Sequence, residues 1–207
     1  MNELFNYLFV SDLHLSEGCD PQTGLLHRNE DFFHDLSFAQ FVAHHVHLSQ
    51  NKVAKDYYQK PWQLVINGDI FDFLQVVSKP PDLNGEIMLD AVDARGEPTQ
   101  VAKTLSANEK LYGLGTTSAE TVWKLNRIAA GHPLFFQALG WFVAHPGNKL
   151  VLMKGNHDIE IVWPAVQRRM AQLLATAYGD WHEQVMMGDV ETPLTMDENL
   201  PEEITAV

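Results

Sequence analysis

The stretch LFNYLFVSDLH, residues 4–14, decides the expected fold, because an apolar run ends there in a polar cluster. The run is rich in aromatic and branched side chains and lacks helical periodicity, which predicts a β-strand. Two later segments repeat the pattern, namely Trp62–Ile66 before Asn67-Gly68-Asp69 and Lys149–Met153 before Lys154-Gly155-Asn156-His157-Asp158. Ligands usually bind at strand ends in open α/β sheets. The three polar clusters are therefore candidate site residues.

A helix is expected between the first two strands. It is predicted to begin near Asn29 as the N-cap, with Glu30 and Asp31 in its first turn. A strand, a crossover helix and a second strand form a βαβ unit, so the sheet should be at least partly parallel and the fold class α/β. The inward side of this helix is expected to carry Phe33, Leu36, Phe41 and Val42.

Two more helices are expected before the third strand. The sequence Thr117-Ser118-Ala119-Glu120 resembles a capping box and begins a helix that stops at Gly131. Pro133 suits the first turn of the next helix, which runs to about Ala144. Residues 76–115 show no sustained period and predict an insertion or cap over the site. The chain divides into a domain at 1–187 and an acidic tail at 188–207, for which disorder is expected.

Charge and composition exclude several classes of protein. With 207 residues, 45% of them hydrophobic, the chain can bury one sizeable core, so disorder throughout is excluded. The net charge of -13 and the lack of a basic run make nucleic acid an unfavourable partner. The longest apolar region, residues 133–144, is shorter than the roughly 20 residues of a membrane span. The first residues carry no secretory signal, so a cytoplasmic protein is expected.

The polar clusters contain the side chains that a two-metal phosphoester hydrolase needs. Two divalent ions roughly 4 Å apart bind phosphate oxygens and acidify a bridging water. Asp12 and His14 alternate along a segment expected to be extended, so both can point toward one metal. Asp69 can bridge two ions through its two oxygens, and Asn156 offers a neutral oxygen to the second ion. Each pattern alone is weak evidence for a metal site. The prediction depends on the joint occurrence of the three patterns after three predicted strands.

Together the blocks Asp12-Leu13-His14, Gly68-Asp69-Ile70-Phe71-Asp72 and Gly155-Asn156-His157-Asp158 resemble the first three signature blocks of the calcineurin-like metallophosphoesterases. The second block is more similar to the bacterial branch containing UDP-diacylglucosamine pyrophosphatases than to the serine/threonine protein phosphatases. The resemblance implies a β-sandwich flanked by helices and hydrolysis of phosphoester or pyrophosphate bonds.

The resemblance also implies a role for each site residue. His157 would be the catalytic residue that acts on the substrate, with Asp158 orienting its ring. Manganese is the expected ion, and the mixed oxygen and nitrogen ligands also admit iron or zinc. The implied metal ligands are Asp12, His14, Asp69 and Asn156.

One part of the family pattern has no counterpart, because no later histidine block follows Asp158. His182 is the only downstream histidine and is expected on a helix surface or in a disordered region. The carboxy-terminal part of the fold is therefore expected to be incomplete. Arg28, after His27, is a candidate contact for a substrate phosphate, with a surface role as the alternative.

Three functions stay open from the sequence. The first is a metal-dependent hydrolase acting on a small phosphorylated or nucleotide-linked substrate. The second is a catalytically impaired remnant that binds only a metal or a partner. The third is a manganese-dependent nuclease, against which the net charge of -13 argues.

Overall fold

The computed structural model describes residues 5–93 and 95–187 of the chain. The fold is mixed α/β, as the sequence predicts, while the β-sandwich stays a prediction. The elements, in chain order, are β1 (Asn6–Val10), α1 (Asp35–Gln50), β2 (Trp62–Asn67), β3 (Glu86–Val92), β4 (Pro98–Thr104), α2 (Ala107–Tyr112), α3 (Ser118–Gly131), α4 (Pro133–Ala144), β5 (Lys149–Met153), a 3-10 helix (Ile159–Val162) and α5 (Pro164–Met187).

The three strands expected from the sequence form one parallel sheet in the order β1-β2-β5. Leu8 of β1 lies opposite Leu64 of β2, and both side chains are buried in the core that α1 and α4 also line. Alternate residues point to opposite faces of a strand, and on the other face Tyr7 and Phe9 are 54% and 69% exposed. Because the strands are parallel, the polar clusters that follow them meet at one edge of the sheet.

The first helix begins later than the sequence predicts, at Asp35 instead of near Asn29. The carboxylate of Glu30 is buried and accepts hydrogen bonds from the amides of Ser16, Gly18 and Phe32. Tertiary hydrogen bonds therefore hold this segment outside the helix, although its composition is typical of a helix start.

The expected inward side of α1 is correct only in part. Val42 is fully buried, whereas Phe33 precedes the helix and is 64% exposed, and Leu36 is 53% exposed. The buried side of α1 consists of Phe38, Ala39, Val42, Ala43 and Val46.

The next two helices confirm the sequence prediction at both ends. Thr117 caps α3 in a complete capping box with Glu120, and the helix ends at Gly131. Pro133 occupies the first turn of α4, which ends at Ala144. His132 joins the two helices and is buried.

Residues 76–115 contain an antiparallel hairpin of β3 and β4, followed by α2, so the expected lack of periodicity is wrong. Ile87, Leu89 and Ala91 of β3 are buried and alternate with exposed residues. Lys103 of β4 pairs with Glu120 of α3 at 3.1 Å, which joins the hairpin to the helices. A role as a cap over the site stays a prediction.

Two further expectations concern membranes and the acidic tail. Among the residues that the structure describes, no helix combines the length and apolarity that crossing a membrane requires. The tail expected at 188–207 lies outside the described residues.

Candidate metal centre

Backbone hydrogen bonds join the first two polar clusters. The amides of Leu13 and His14 both donate to the carbonyl of Asp69 at 2.9 Å. Leu15 donates to the carbonyl of Ile70 at 3.0 Å, which continues the pairing of β1 and β2 into the loops. The loops that carry the candidate ligands are therefore held in a fixed register to each other.

Three candidate ligands adopt a left-handed backbone conformation. The φ angles are 55° at Asp12, 53° at His14 and 50° at Asp69. The expectation that Asp12 and His14 alternate along an extended segment is therefore wrong. A non-glycine residue in this region costs on the order of 1 kcal/mol, and such strain clusters at functional sites.

The side chains of Asp12, His14 and Asp69 form one possible metal-binding group. One ligand atom from each lies within 4.8 Å of the others. Asp12 is exposed and the other two are half-buried. Carboxylate oxygens with an imidazole nitrogen suit manganese, iron or zinc, so this donor set fits a divalent ion.

A second possible group shares His14 and adds Asp72 and His157. Nδ1 of His157 lies 2.9 Å from Oδ2 of Asp72, and Nδ1 of His14 lies 3.8 Å from the same oxygen. The other oxygen of Asp72 accepts from the amides of Leu74 and Gln75 at 3.1 and 3.2 Å. Asp72 is thus fixed between two histidines.

The proposed pairing of Asp158 with the ring of His157 is not what the structure contains. Asp158 is fully buried, and Oδ1 accepts from the amide of Gly155 at 2.6 Å. Oδ2 accepts from the amide of Ile70 at 2.8 Å. Both oxygens therefore tie the third cluster to the second, and Asp72 is the carboxylate next to the His157 ring.

Comparison with known proteins gives no independent evidence on the function of these residues. No family model, curated protein or solved structure matches the chain. Two possible metal-binding groups around a shared His14 are found within the described residues. Their members come from segments more than 50 residues apart in sequence, so tertiary folding assembles the centre.

Gly155 brings the third cluster close to Asp69. A Cβ at position 155 would collide with Oδ1 of Asp69 and with its amide nitrogen, which lies 2.5 Å from the ideal position. The amide of His157 donates to Oδ1 of Asp69 at 2.9 Å. Asn156 lies between these two contacts and is exposed. Its role as a ligand stays a prediction.

Behind Asp72 lies a buried amine that sequence reasoning missed. Lys124 of α3 is 2% exposed, and its Nζ donates to the carbonyl of Phe73 at 2.9 Å. Burial lowers the pKa of Lys124, while the charges of Glu160, Glu120 and Asp72 oppose this shift. The sequence signal for Lys124 was that a charged residue interrupts the apolar side of α3.

The remaining histidines have structural partners or fall outside the description. His132 contacts Glu30 and Asp35, and Nδ1 of His145 lies 2.9 Å from the carbonyl of Trp141. The side chain of His182 lies outside the described residues. Arg28 is exposed and lines a pocket with His27. Its role as a contact for a substrate phosphate stays a prediction.

Proposed function

We propose that this chain is a metal-dependent hydrolase of phosphoester or pyrophosphate bonds, similar to the calcineurin-like metallophosphoesterases. One observation supports the proposal above others. Side chains that follow three separate strands come together in two possible metal-binding groups that share His14, one with Asp12 and Asp69 and the other with Asp72 and His157. We include in the proposal the β-sandwich fold of that family, with β1, β2 and β5 in one of its sheets.

The donor set supports manganese, iron or zinc as the ion, held by Asp12, His14 and Asp69, with Asn156 as a further ligand. A bound divalent ion would bind phosphate oxygens and lower the pKa of a bound water. The strained backbone at three of these residues is consistent with a preorganised centre, because such strain persists only where the surrounding structure imposes it.

His157 is the proposed proton donor to the leaving oxygen. Its Nδ1 is 2.9 Å from Oδ2 of Asp72, so the carboxylate orients the ring. Nε2 then remains for a substrate oxygen. Asp158 acts through the backbone by holding the loops of Ile70 and Gly155 together.

The substitution Asp69→Asn tests the proposal. It keeps the size of the side chain and removes the negative charge that an ion requires. We expect manganese-dependent hydrolysis of bis(4-nitrophenyl) phosphate to fall at least about a hundredfold, since changes to the residues around metal ligands already cost roughly 10–100-fold. Asp56→Asn is the matched control, because Asp56 is exposed and belongs to neither metal-binding group.

Two outcomes would contradict the proposal. Equal rates of hydrolysis for the natural chain and Asp69→Asn would show that Asp69 takes no part in the reaction. Bound manganese without hydrolysis in the natural chain would favour the metal-binding alternative over an enzyme. Cleavage of DNA but not of small phosphodiesters would favour the nuclease.

A further inference from the structure

A pocket of about 330 Å³ lies between α3 and the loop that follows His14. The chain supplies Glu17, Asp20, His27 and Arg28 from the loop, and Arg127 from α3. Leu25 and Leu26 form apolar parts of its wall. None of these residues belongs to the two metal-binding groups, so the pocket is a separate feature.

The loop around the pocket is ordered by its own hydrogen bonds. Oε1 of Glu17 accepts from the amides of Val77 and Ser78 at 2.9 and 2.8 Å. The amide of His27 donates to the carbonyl of Gly18 at 2.8 Å, which closes the loop at its base. A preorganised pocket binds a ligand with less entropic cost than a flexible surface loop.

Backbone amides also donate hydrogen bonds to the two carboxylates of the pocket. Oδ1 of Asp20 accepts from the amides of Gln22 and Thr23 at 2.9 and 2.8 Å, and these hydrogen bonds lower the pKa of Asp20. Glu17 is engaged by Val77 and Ser78 in the same way. Their negative charges are therefore partly offset by amide dipoles.

One guanidinium group of the pocket, that of Arg127, forms an ion pair with Glu17, and the other, that of Arg28, is exposed. Nη2 of Arg127 is 3.6 Å from Oε2 of Glu17, longer than a hydrogen bond, and its buried Nε has no hydrogen-bond partner within the described residues. A guanidinium group can bind a phosphate through two parallel hydrogen bonds. Arg28 and Arg127 therefore retain the capacity to bind an oxyanion.

We propose that Arg28 and Arg127 bind a second phosphate group of the substrate, distinct from the group that is hydrolysed. This inference rests on the proposed function. Glu17 follows His14 by three residues, so their Cα atoms lie within roughly 11 Å of each other. The substrate would therefore carry a second phosphate besides the one that is hydrolysed. In a chain with a net charge of -13, local arginines are needed to attract such an anion.

The experiment uses metal-free protein, so that the pocket is tested apart from the reaction. Inorganic phosphate is titrated in the presence of EDTA while the arginine Nε–H and histidine ring signals are followed by NMR. We expect saturable shifts at Arg127, and affinity at least tenfold weaker in Arg28→Ala and in Arg127→Ala. Asp69→Asn should bind phosphate as the natural chain does, which separates this inference from the metal centre.

Arg95→Ala is the control for net charge, because Arg95 is an exposed arginine that does not line the pocket. Circular dichroism checks folding, and Arg28→Ala decides the result if Arg127→Ala does not fold. Absence of saturable phosphate binding, or equal loss in the Arg95 control, would overturn the inference. Acetate binding as strong as phosphate binding would also overturn it, since the pocket would then not select a phosphate.

Discussion

At the scale of single residues, Gly155 lies very close to Asp69. Its backbone touches the carboxylate of Asp69, and an added Cβ would collide with Oδ1 of that residue. Glycine is thus required here for space and not for a left-handed backbone, because its φ lies outside that region.

The substitution Gly155→Ala should therefore impair the centre selectively. We expect loss of tight manganese binding and at least a tenfold loss of hydrolysis, because displacement by about 1 Å can cost on the order of a hundredfold in rate. Isothermal titration with manganese and a rate assay measure both. Gly179→Ala is the matched control, since a Cβ there meets nothing within 4 Å. Equal manganese affinity in the two variants would contradict the steric argument.

A buried ion cluster supports the loop after His14. Nε2 of His132 lies 3.1 Å from Glu30, and Nδ1 lies 3.1 Å from Asp35. Burial opposes the charge on His132, yet the two carboxylates raise its pKa to about 9. Burial likewise opposes ionisation of Glu30, while hydrogen bonds from His132, Gly18, Phe32 and Ser16 lower its pKa to about 2. A doubly protonated ring can donate to both acids.

These shifts predict how stability depends on pH. The folded pKa of His132 is raised from 6.5 to about 9, so its stabilisation is complete below pH 6.5 and is lost as pH rises through 9. The folded pKa of Glu30 is lowered from 4.5 to about 2, so its stabilisation is present above pH 4.5 and is lost as pH falls through 2.

Urea unfolding of metal-free protein measures this dependence. The free energy of unfolding should fall by roughly 3 kcal/mol between pH 6.5 and pH 10 in the natural chain. His132→Gln should be less stable at pH 6 and should lack most of this fall, since it has no proton to lose. The same slope in both proteins would assign the pH dependence to other groups.

At the scale of elements, the chain has two helices with capping boxes, and the contributions of the two caps to stability can be compared directly. Thr117 caps α3, which buries eight residues, whereas Ser106 caps α2, which buries none. The hydroxyl of Thr117 also bonds the buried carboxylate of Glu120. The tertiary structure therefore depends on the first cap far more than on the second.

Thr117→Ala should lower the free energy of unfolding by about 1–2 kcal/mol, and Ser106→Ala by about 0.5 kcal/mol, the low end of the range for a cap. For a chain of this size, 1 kcal/mol corresponds to roughly 2–4 °C in Tm. Differential scanning calorimetry compares the two variants with the natural chain. Equal losses would mean that α2 contributes to the core as much as α3 does.

Elements were predictable from sequence where local signals agree with tertiary contacts. The apolar runs of β1, β2 and β5, and the cap and stop of α3, read correctly because burial and propensity favour the same structure. The start near Asn29 was wrong because Glu30 hydrogen-bonds to distant amides. The hairpin was missed because the short alternation along β3 lies among proline, glycine and aspartate residues.

Some residues of the two possible metal-binding groups were predictable from the sequence, but their geometry was not. Asp12, His14 and Asp69 are recognisable as polar residues after strands, but their left-handed backbone depends on hydrogen bonds between two loops. The contact between Asp72 and His157 spans 85 residues, so no local pattern indicates it. Only the folded chain shows which carboxylate lies next to the ring of His157.

At the scale of the whole molecule, the two possible metal-binding groups found in the described residues both contain His14. Neither group retains three histidine or carboxylate ligands if the other uses that side chain. We therefore expect one tightly bound manganese per chain, with a second ion bound only weakly. Metal analysis after gel filtration measures the stoichiometry, and two tightly held equivalents would contradict it.

The shared His14 also predicts a single metal-dependent rise in stability. An ion that binds only the folded chain stabilises it by about 2.7 kcal/mol at a concentration one hundred times its Kd. For a chain of 207 residues this corresponds to roughly 5–10 °C in Tm. Thermal unfolding with increasing manganese should show this rise, EDTA should reverse it, and Asp69→Asn should abolish it while Asp56→Asn keeps it. A rise of equal size in Asp69→Asn would place the stabilising ion elsewhere, because the centre would then contribute nothing to the linkage between metal binding and folding.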